Sequence, residues 1–367
     1  MLPQNEYFPE TVTHPGTTLE EKLEEMGMSI KEFAIRTCKP EKTVIAVLRG
    51  TSAITQEMAI KFENVTKIPA RFWLRSQSSY DEFKTREKLN KNVKHAADWT
   101  KKFPYSEMAK MNWVKPTKIL EEKTTNLFSY FAISSNEAWD NLYMKSKLKV
   151  AAYASLKYTQ EPHAISAWLR QGEMQAEKMQ TPPFNPKLFK QNLHSIKKLM
   201  AEQPTDFFMK LQKLCWEAGV KVFYTPKLPK VPLSGSTRWI NDTPVIQLTT
   251  RYKQNDRFWF TFFHEAGHII LHGKKYISLE NIDFSEADPE KEKEAHKFAE
   301  EWTFSKEQED EVLTVAQLNE NDIVKFAHKF NTHPAMIIGR FHHKGLLPYH
   351  IGREFIVPIN LSAEDCE

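Results

Sequence analysis

An α+β architecture, with an all-helical N-terminal portion, a helical middle and a C-terminal portion built around a small β-sheet, is predicted by three features of the sequence. The first 83 residues show short apolar periodicities of helical spacing broken by sharp turns. Helical spacing continues, interrupted by prolines, from about 84 to 215. Two short runs rich in β-branched and aromatic residues then appear, followed again by helical patterns, and runs of helices preceding a small sheet argue α+β.

In the N-terminal portion, Thr18 to Met26 has the spacing of an amphipathic helix that Gly27 ends. Ser29 is an N-cap for a second helix through Ile30, Phe33, Ala34 and Ile35. Pro40 suits the first turn of a third helix that ends near Arg49 with Gly50 as its stop. Thr55 caps a fourth helix carrying Met58, Ala59 and Phe62, and a fifth starts at Pro69 with Phe72, Trp73 and Leu74. In the middle, Ala164 to Lys178 and Leu188 to Met200 are periodic on either side of Pro182, Pro183 and Pro186. The β-rich runs are Val220 to Tyr224 and Val245 to Leu248, bounded by Gly219, Pro226, Asn241, Asp242 and Pro244. Helices are expected over about 255–272, 289–304, 315–330 and 334–343, and a short strand at Glu354–Val357. The expected domains are 1–83, a connecting region 84–215, and 216–367.

The bulk properties narrow the class. The 367 residues are 41% hydrophobic and 27% charged, enough apolar material for cores without a metal or disulfide staple. No apolar run is long enough to cross a bilayer, and Met1 to Glu6 lacks the basic and apolar regions of a signal peptide. Cys38, Cys215 and Cys366 have no metal or redox spacing and read as reduced thiols of a cytoplasmic protein. The net charge of +4 is mild, but between Lys84 and Lys118 lysines and arginines far outnumber Glu87, Asp98 and Glu107. That block suits either phosphate neutralisation or a solvated helix face.

The chemistry concentrates at His264-Glu265-Ala266-Gly267-His268. Histidines four apart on a helix project from one face and can share one zinc ion. Glu265 sits beside that face, placed to take a proton from an activated water. A catalytic zinc needs a third protein ligand and leaves a fourth position open. His272 lies a helical turn beyond His268 and points along the helix, away from the same ion. A histidine at the metzincin spacing is ruled out by Lys274. On the next helix Glu292, Ala295, His296 and Ala299 share a face; small Ala295 and Ala299 permit close packing, Glu292 is the better-placed ligand and Glu294 the alternative. His296 is placed to orient a ligand by hydrogen bonding. His333, His342 and His343 are further donors that could approach the site, and otherwise read as surface histidines.

Gly219-Val220-Lys221-Val222, Val245 to Leu248, Arg257 through His272 and Glu292 through Ala299 together resemble the ImmA/IrrE family of zinc metallopeptidase domains. The C-terminal His333-Pro334 and Ile338-Gly339-Arg340 resemble the tail of such proteins. The resemblance implies a zincin-like fold, zinc ligands at His264, His268 and Glu292, a general base at Glu265, and a protein substrate such as a repressor or antitoxin. One departure is Trp302-Thr303-Phe304-Ser305, where the family has a more aliphatic segment.

The N-terminal rhythm of helices is that of a helix-turn-helix whose third helix enters a major groove by its N-terminal end. Lys39, Glu41, Lys42, Thr43 and Arg49 are then placed for bases or phosphates, with Ser29 and Lys31 nearer the backbone. The near balance of charge in 1–83 and the acidic first helix (Glu20, Glu21, Glu24, Glu25) equally suit a helical bundle without nucleic acid. His14-Pro15-Gly16, Leu19, Leu23, Gly27-Met28-Ser29, Leu48-Arg49-Gly50, Ile54-Thr55 and Phe72-Trp73-Leu74 resemble the HigA/VapI-type antitoxin repressors of the Xre helix-turn-helix class. That resemblance implies double-stranded operator DNA, a homodimer and a toxin, antitoxin or repressor as protein partner. Two whole-chain readings follow: a DNA-binding, antitoxin-like regulator with a zinc peptidase that cleaves a partner, or a non-enzymatic antitoxin whose zinc domain is a sensor or binding fold.

Overall fold

The structure, a computed structural model, describes residues 11–145, 161–249, 253–275, 278–279, 289–315 and 318–361. Met1 to Glu6 and Cys366, read above for targeting and thiol state, lie outside the described residues. The chain forms two compact units, Met1–His95 and Ala96–Glu367.

Among the described residues the first unit is all helical: α1 (Pro15–Glu25), α2 (Ile30–Thr37), α3 (Glu41–Leu48), α4 (Gln56–Thr66) and α5 (Ala70–His95). The ends follow local chemistry. Ser29 and Thr55 accept from the backbone N–H groups of Glu32 and Met58, and each satisfies a donor the helix leaves open. Helix α1 begins at Pro15, three residues before the sequence pattern suggests, because His14 Nδ1 accepts from the Gly16 N–H at 2.9 Å. Gly50 ends the α3 turn at φ +68°, a conformation that favours glycine. Leu19, Phe33, Val44, Val47, Phe62 and Trp73 are fully buried in one core. Helix α5 runs on through position 83 to His95; only Trp73 and Gln77 on it are buried.

The second unit opens with α6 (Ala97–Thr100), α7 (Tyr105–Lys110), α8 (Leu120–Phe131) and α9 (Asn136–Trp139), the last running into a π-helical turn at Asp140–Lys145. After the undescribed stretch come α10 (Pro162–Lys178), α11 (Pro186–Glu202) and α12 (Phe207–Glu217). The middle of the chain, from Ala96 on, therefore lies in the same compact unit as the C-terminal region.

Among the described residues four strands follow: β1 (Lys221–Tyr224), β2 (Gly235–Ile240), β3 (Thr243–Leu248) and, after the long helix α13 (Asn255–His272), β4 (Ser278–Leu279). The sheet order is β1-β3-β2-β4, with β1 parallel to β3 and the other pairs antiparallel. Asn241 and Asp242, both at positive φ (47° and 67°), close the β2–β3 hairpin, as a type I′ turn requires. The chain continues as α14 (Pro289–Thr303), α15 (Lys306–Val312), α16 (Glu320–Phe330) and α17 (Pro334–His343). The strand expected at Glu354–Val357 does not form. Arg353–Phe355 is a 3₁₀ turn, and Asn255 takes the backbone there instead, donating to Phe355 O and accepting from Val357 N–H.

Helix α10 is fixed to the sheet by buried polar contacts. Arg238 of β2, 5% exposed, donates to Leu169 O at 2.6 Å and Gln247 Oε1 at 2.8 Å, and its charge is met by Glu173 at 3.5 Å. Gln247 donates in turn to Trp168 O and Thr225 Oγ1. Gly172 permits the approach, since a Cβ there would lie 2.1 Å from Gln247 Oε1.

Candidate metal centre and helix-turn-helix

Helix α13 is the buried axis of the second unit, with Phe258, Trp259, Phe262, Phe263, Ala266 and Ile269 in the core. An amphipathic surface helix would show its polar residues to water; here His264, Glu265 and His268 are buried with the rest. Such groups need partners, and the neighbouring elements bring them. Helix α14 can lie close because position 267 is glycine: a Cβ there would stand 3.1 Å from the Phe298 ring.

The packing of α14 on α13 brings Glu292 to both histidines. Its Oε2 is 3.2 Å from His264 Nε2 and its Oε1 is 3.5 Å from His268 Nε2, while the two Nε2 atoms are 3.0 Å apart. A tetrahedral zinc with bonds of about 2.0–2.1 Å separates its ligand atoms by roughly 3.3 Å. Two imidazole nitrogens and one carboxylate at these spacings suit that ion. Burial holds His268 at about 4, outweighing the opposing pull of Glu292, so the ring is neutral at pH 7, the form that ligates metals.

Glu265 is fully buried beside this cluster. Its side chain lies against the start of β2, where a Cβ on Gly235 would come 3.0 Å from Glu265 Oε1. Thr237 of the same strand donates to the Glu265 backbone carbonyl at 3.0 Å. Strand β2, which the sequence patterns did not reveal, thus sets the surroundings of this carboxylate.

A cleft of about 630 Å³ opens beside His264 and Glu292, walled by Arg257 and Phe260 of α13, His296 and Glu300 of α14, and Met336, Arg340 and His343 of α17. Gly339 lets α17 approach, because a Cβ there would meet Asp256 Oδ2 at 2.3 Å. Arg340 is held by Glu300 and Glu309, each at 3.3 Å. His296 lies in the cleft wall with its ring 6.5 Å from that of His264 and 4.9 Å from Phe260, and its Nε2 is 3.9 Å from Glu300. The hydrogen-bond partner of His268 Nδ1 is His272, whose Nδ1 is 2.9 Å away and whose Nε2 is 3.0 Å from Glu294 Oε2. Of the three C-terminal histidines, His343 lines the cleft. His333 caps α17, accepting from Ala335 N–H, and His342 lies 3.2 Å from Ile351 O.

In the first unit, Thr37 turns its hydroxyl back to Phe33 O, Cys38 takes a left-handed conformation at φ 49°, and Pro40 starts α3. The α1–α3 contact is close, as a Cβ on Gly16 would be 2.1 Å from Val47 O. Glu41, Lys42 and Arg49 are exposed on or beside α3, and Thr43 is half-buried. Lys39 is engaged by Glu57 of α4 at 3.0 Å, and Lys61 with Lys39 holds the Glu57 carboxyl at about 2. Lys31 is exposed, and Ser29 is committed to capping α2. Cys38 and Cys215 are free thiols. Among the described residues no helix is long and apolar enough to cross a membrane.

Two family models match the chain: the helix-turn-helix model over residues 19–73 and the IrrE N-terminal-like domain over 215–342. An Escherichia coli K12 protein described as the uncharacterized HTH-type transcriptional regulator YddM is 35% identical over 66 residues, which span 18% of this chain and 70% of that protein. Virulence-associated protein A of Dichelobacter nodosus is 36% identical over 69 residues, covering 18% of this chain and 68% of it. A solved addiction-module antidote protein of the HigA family from Coxiella burnetii is 30% identical, covers 23% of this chain and 91% of its own, and superposes with a TM-score of 0.22. The chain thus belongs to the Xre-type helix-turn-helix family through its N-terminal unit, and it carries an IrrE N-terminal-like domain, of the ImmA/IrrE peptidase type, at residues 215–342.

Proposed function

We propose that this chain is a cytoplasmic, antitoxin-like transcriptional regulator that binds double-stranded operator DNA as a homodimer and hydrolyses a peptide bond in a protein partner at a zinc centre. The observation that carries the enzymatic part is the convergence of His264 Nε2, His268 Nε2 and the Glu292 carboxylate, all within 4.8 Å of one another, beside buried Glu265 and an open cleft. A zinc ion held by these three residues supplies Lewis acidity, bringing the pKa of water near 7 and polarising a carbonyl. Glu265 acts as the general base: its carboxylate takes the proton of the attacking water and passes it to the leaving amine nitrogen. That carboxylate lies close against Gly235 of β2, where a side chain would crowd it, and the buried helix around it limits competing water. The cleft between α13, α14 and α17 receives the substrate segment.

For DNA, α3 enters the major groove with Glu41, Lys42, Thr43 and Arg49 toward bases or phosphates. Lys39, fixed beside Glu57, contacts the backbone. The protein partner is a toxin, antitoxin or repressor, as the likeness to antitoxin repressors implies.

New protein N-termini mapped in the native host, with the wild-type chain or Glu265→Gln expressed, test the enzymatic part. Cleavage products present with wild type and absent with the variant are expected. A partner cut equally by both contradicts the role of Glu265. No new N-termini with either chain, with repression intact, is what the non-enzymatic antitoxin reading requires. For DNA, Lys42→Ala should weaken operator binding and lower its salt dependence by about one phosphate's worth, a slope change of roughly 0.9.

A further inference from the structure

We infer that His272 and Glu294 form a positioning pair that sets the tautomer and ring orientation of His268 and so raises the affinity of the centre for zinc. The inference rests on the zinc reading above and assigns a role to two side chains outside the ligand set.

His268 Nε2 faces the cluster, 3.0 Å from His264 Nε2 and 3.5 Å from Glu292. A neutral imidazole has one lone-pair nitrogen and one N–H, so committing Nε2 as ligand places the proton on Nδ1. That Nδ1 is 2.9 Å from His272 Nδ1, which must then be the acceptor. The His272 proton is thereby left on Nε2, and it lies 3.0 Å from Glu294 Oε2. One carboxylate therefore fixes the tautomers of two histidines in series, and the chain of hydrogen bonds ends on a group that accepts only.

Burial favours the same conclusion. The His272 side chain is 3% exposed, so its two nitrogens need these partners, whereas Glu294 is 62% exposed and keeps its charge in water. Glu292 and Glu294 leave α14 within one turn and reach successive histidines of α13, so the pair also pins the register in which Glu292 meets the cluster. Hydrogen-bonded carboxylates behind a ligating histidine raise its basicity, and removing such a partner typically lowers metal affinity about 10–100-fold.

Zinc affinity of the full-length chain, measured by competition with a chromogenic chelator, tests the pair without reference to peptidase activity. His272→Ala should weaken zinc binding at least tenfold, and Glu294→Ala should do the same to a smaller degree. Glu294→Gln, which keeps an acceptor on an exposed side chain and leaves packing alone, should restore most of the loss. The double variant should be no worse than His272→Ala, because Glu294 acts through His272. Wild-type zinc binding with unchanged affinity in His272→Ala overturns the pair, as do additive losses in the double variant. A wild-type chain that binds no zinc overturns the zinc reading itself, and the pair with it.

Discussion

The two units of this chain are built by different means. The first rests on short helices whose ends are written into adjacent residues: Ser29 and Thr55 cap the helices that follow them, and Gly50 stops the one before it. Its core cluster, from Leu19 to Trp73, is apolar, and the polar side chains buried beside it, Thr37, Thr66 and Gln77, carry no charge. The second places charged and polar groups in its interior and satisfies them over long sequence separations. Arg238 is met by Leu169, Gln247 and Glu173, Asn255 by Phe355 and Val357, and His264 by Glu292. A recognition module needs a rigid scaffold that presents an exposed helix, whereas a catalytic module needs reactive groups out of water, and that requires partners from several elements.

That contrast can be broken first by removing a buried charge. Arg238→Met should destabilise the second unit by about 3–5 kcal/mol, because buried Gln247 and the Leu169 carbonyl lose a charged donor and the part-buried Glu173 loses one of its arginines. Calorimetry should show the corresponding transition falling while that of the first unit stays in place; an unchanged transition would mean that the network is not structural. The matching change in the first unit, Phe33→Ala, removes a fully buried ring and should cost about 3–5 kcal/mol as well. It should abolish operator binding and leave zinc content untouched. Loss of zinc in that variant would show that the units are not independent.

Smaller effects sharpen the comparison. Gly267→Ala should cost about 1–3 kcal/mol by pressing a methyl against Phe298, and should lower zinc affinity because α14 carries Glu292. Ser29→Ala should cost about 1 kcal/mol, confined to the first unit and visible as a shifted denaturant midpoint. A pH trend completes the series. Burial depresses His163, stacked on Trp139, and the helix cap His333 to about 4 each, so the folded second unit favours their neutral forms. Below the unfolded value of about 6.5 the unfolded chain binds more protons. Their contribution is therefore complete above pH 6.5 and is lost as pH falls toward 4. His163→Phe should flatten part of that loss in acid-denaturation curves; an unaltered curve would remove His163 from the explanation.

The same contrast explains what the sequence made legible. Caps, stops and the four-residue spacing of His264 and His268 are local, and each is placed by neighbours within one helical turn. Glu292 also followed from spacing, since Ala295 and Ala299 mark the packed face of α14. Strand β2 was hidden because Thr237-Arg238-Trp239 alternates poorly, and Arg238 is buried only through its distant partners. The Asn241-Asp242 pair at its end is a hairpin signal that could have revealed it. The contact between His272 and Glu294 depends on how two helices pack, and nothing within either helix specifies it. The segment Glu354–Val357 reads as a strand by composition, yet the Asn255 side chain takes hydrogen bonds from its backbone, and Arg353–Phe355 is a 3₁₀ turn.

The central claim is that His264, His268 and Glu292 hold a zinc ion while Glu265 stands off it, and metal content measures this directly. Chain purified from zinc-replete cells and analysed by inductively coupled plasma mass spectrometry should carry about one zinc per chain, as the single open-site ligand set implies. Glu265→Gln should carry the same amount, and the double variant His264→Ala with His268→Ala should carry almost none. Zinc that persists at wild-type level in the double variant, or that disappears with Glu265→Gln alone, would contradict the assignment of these residues.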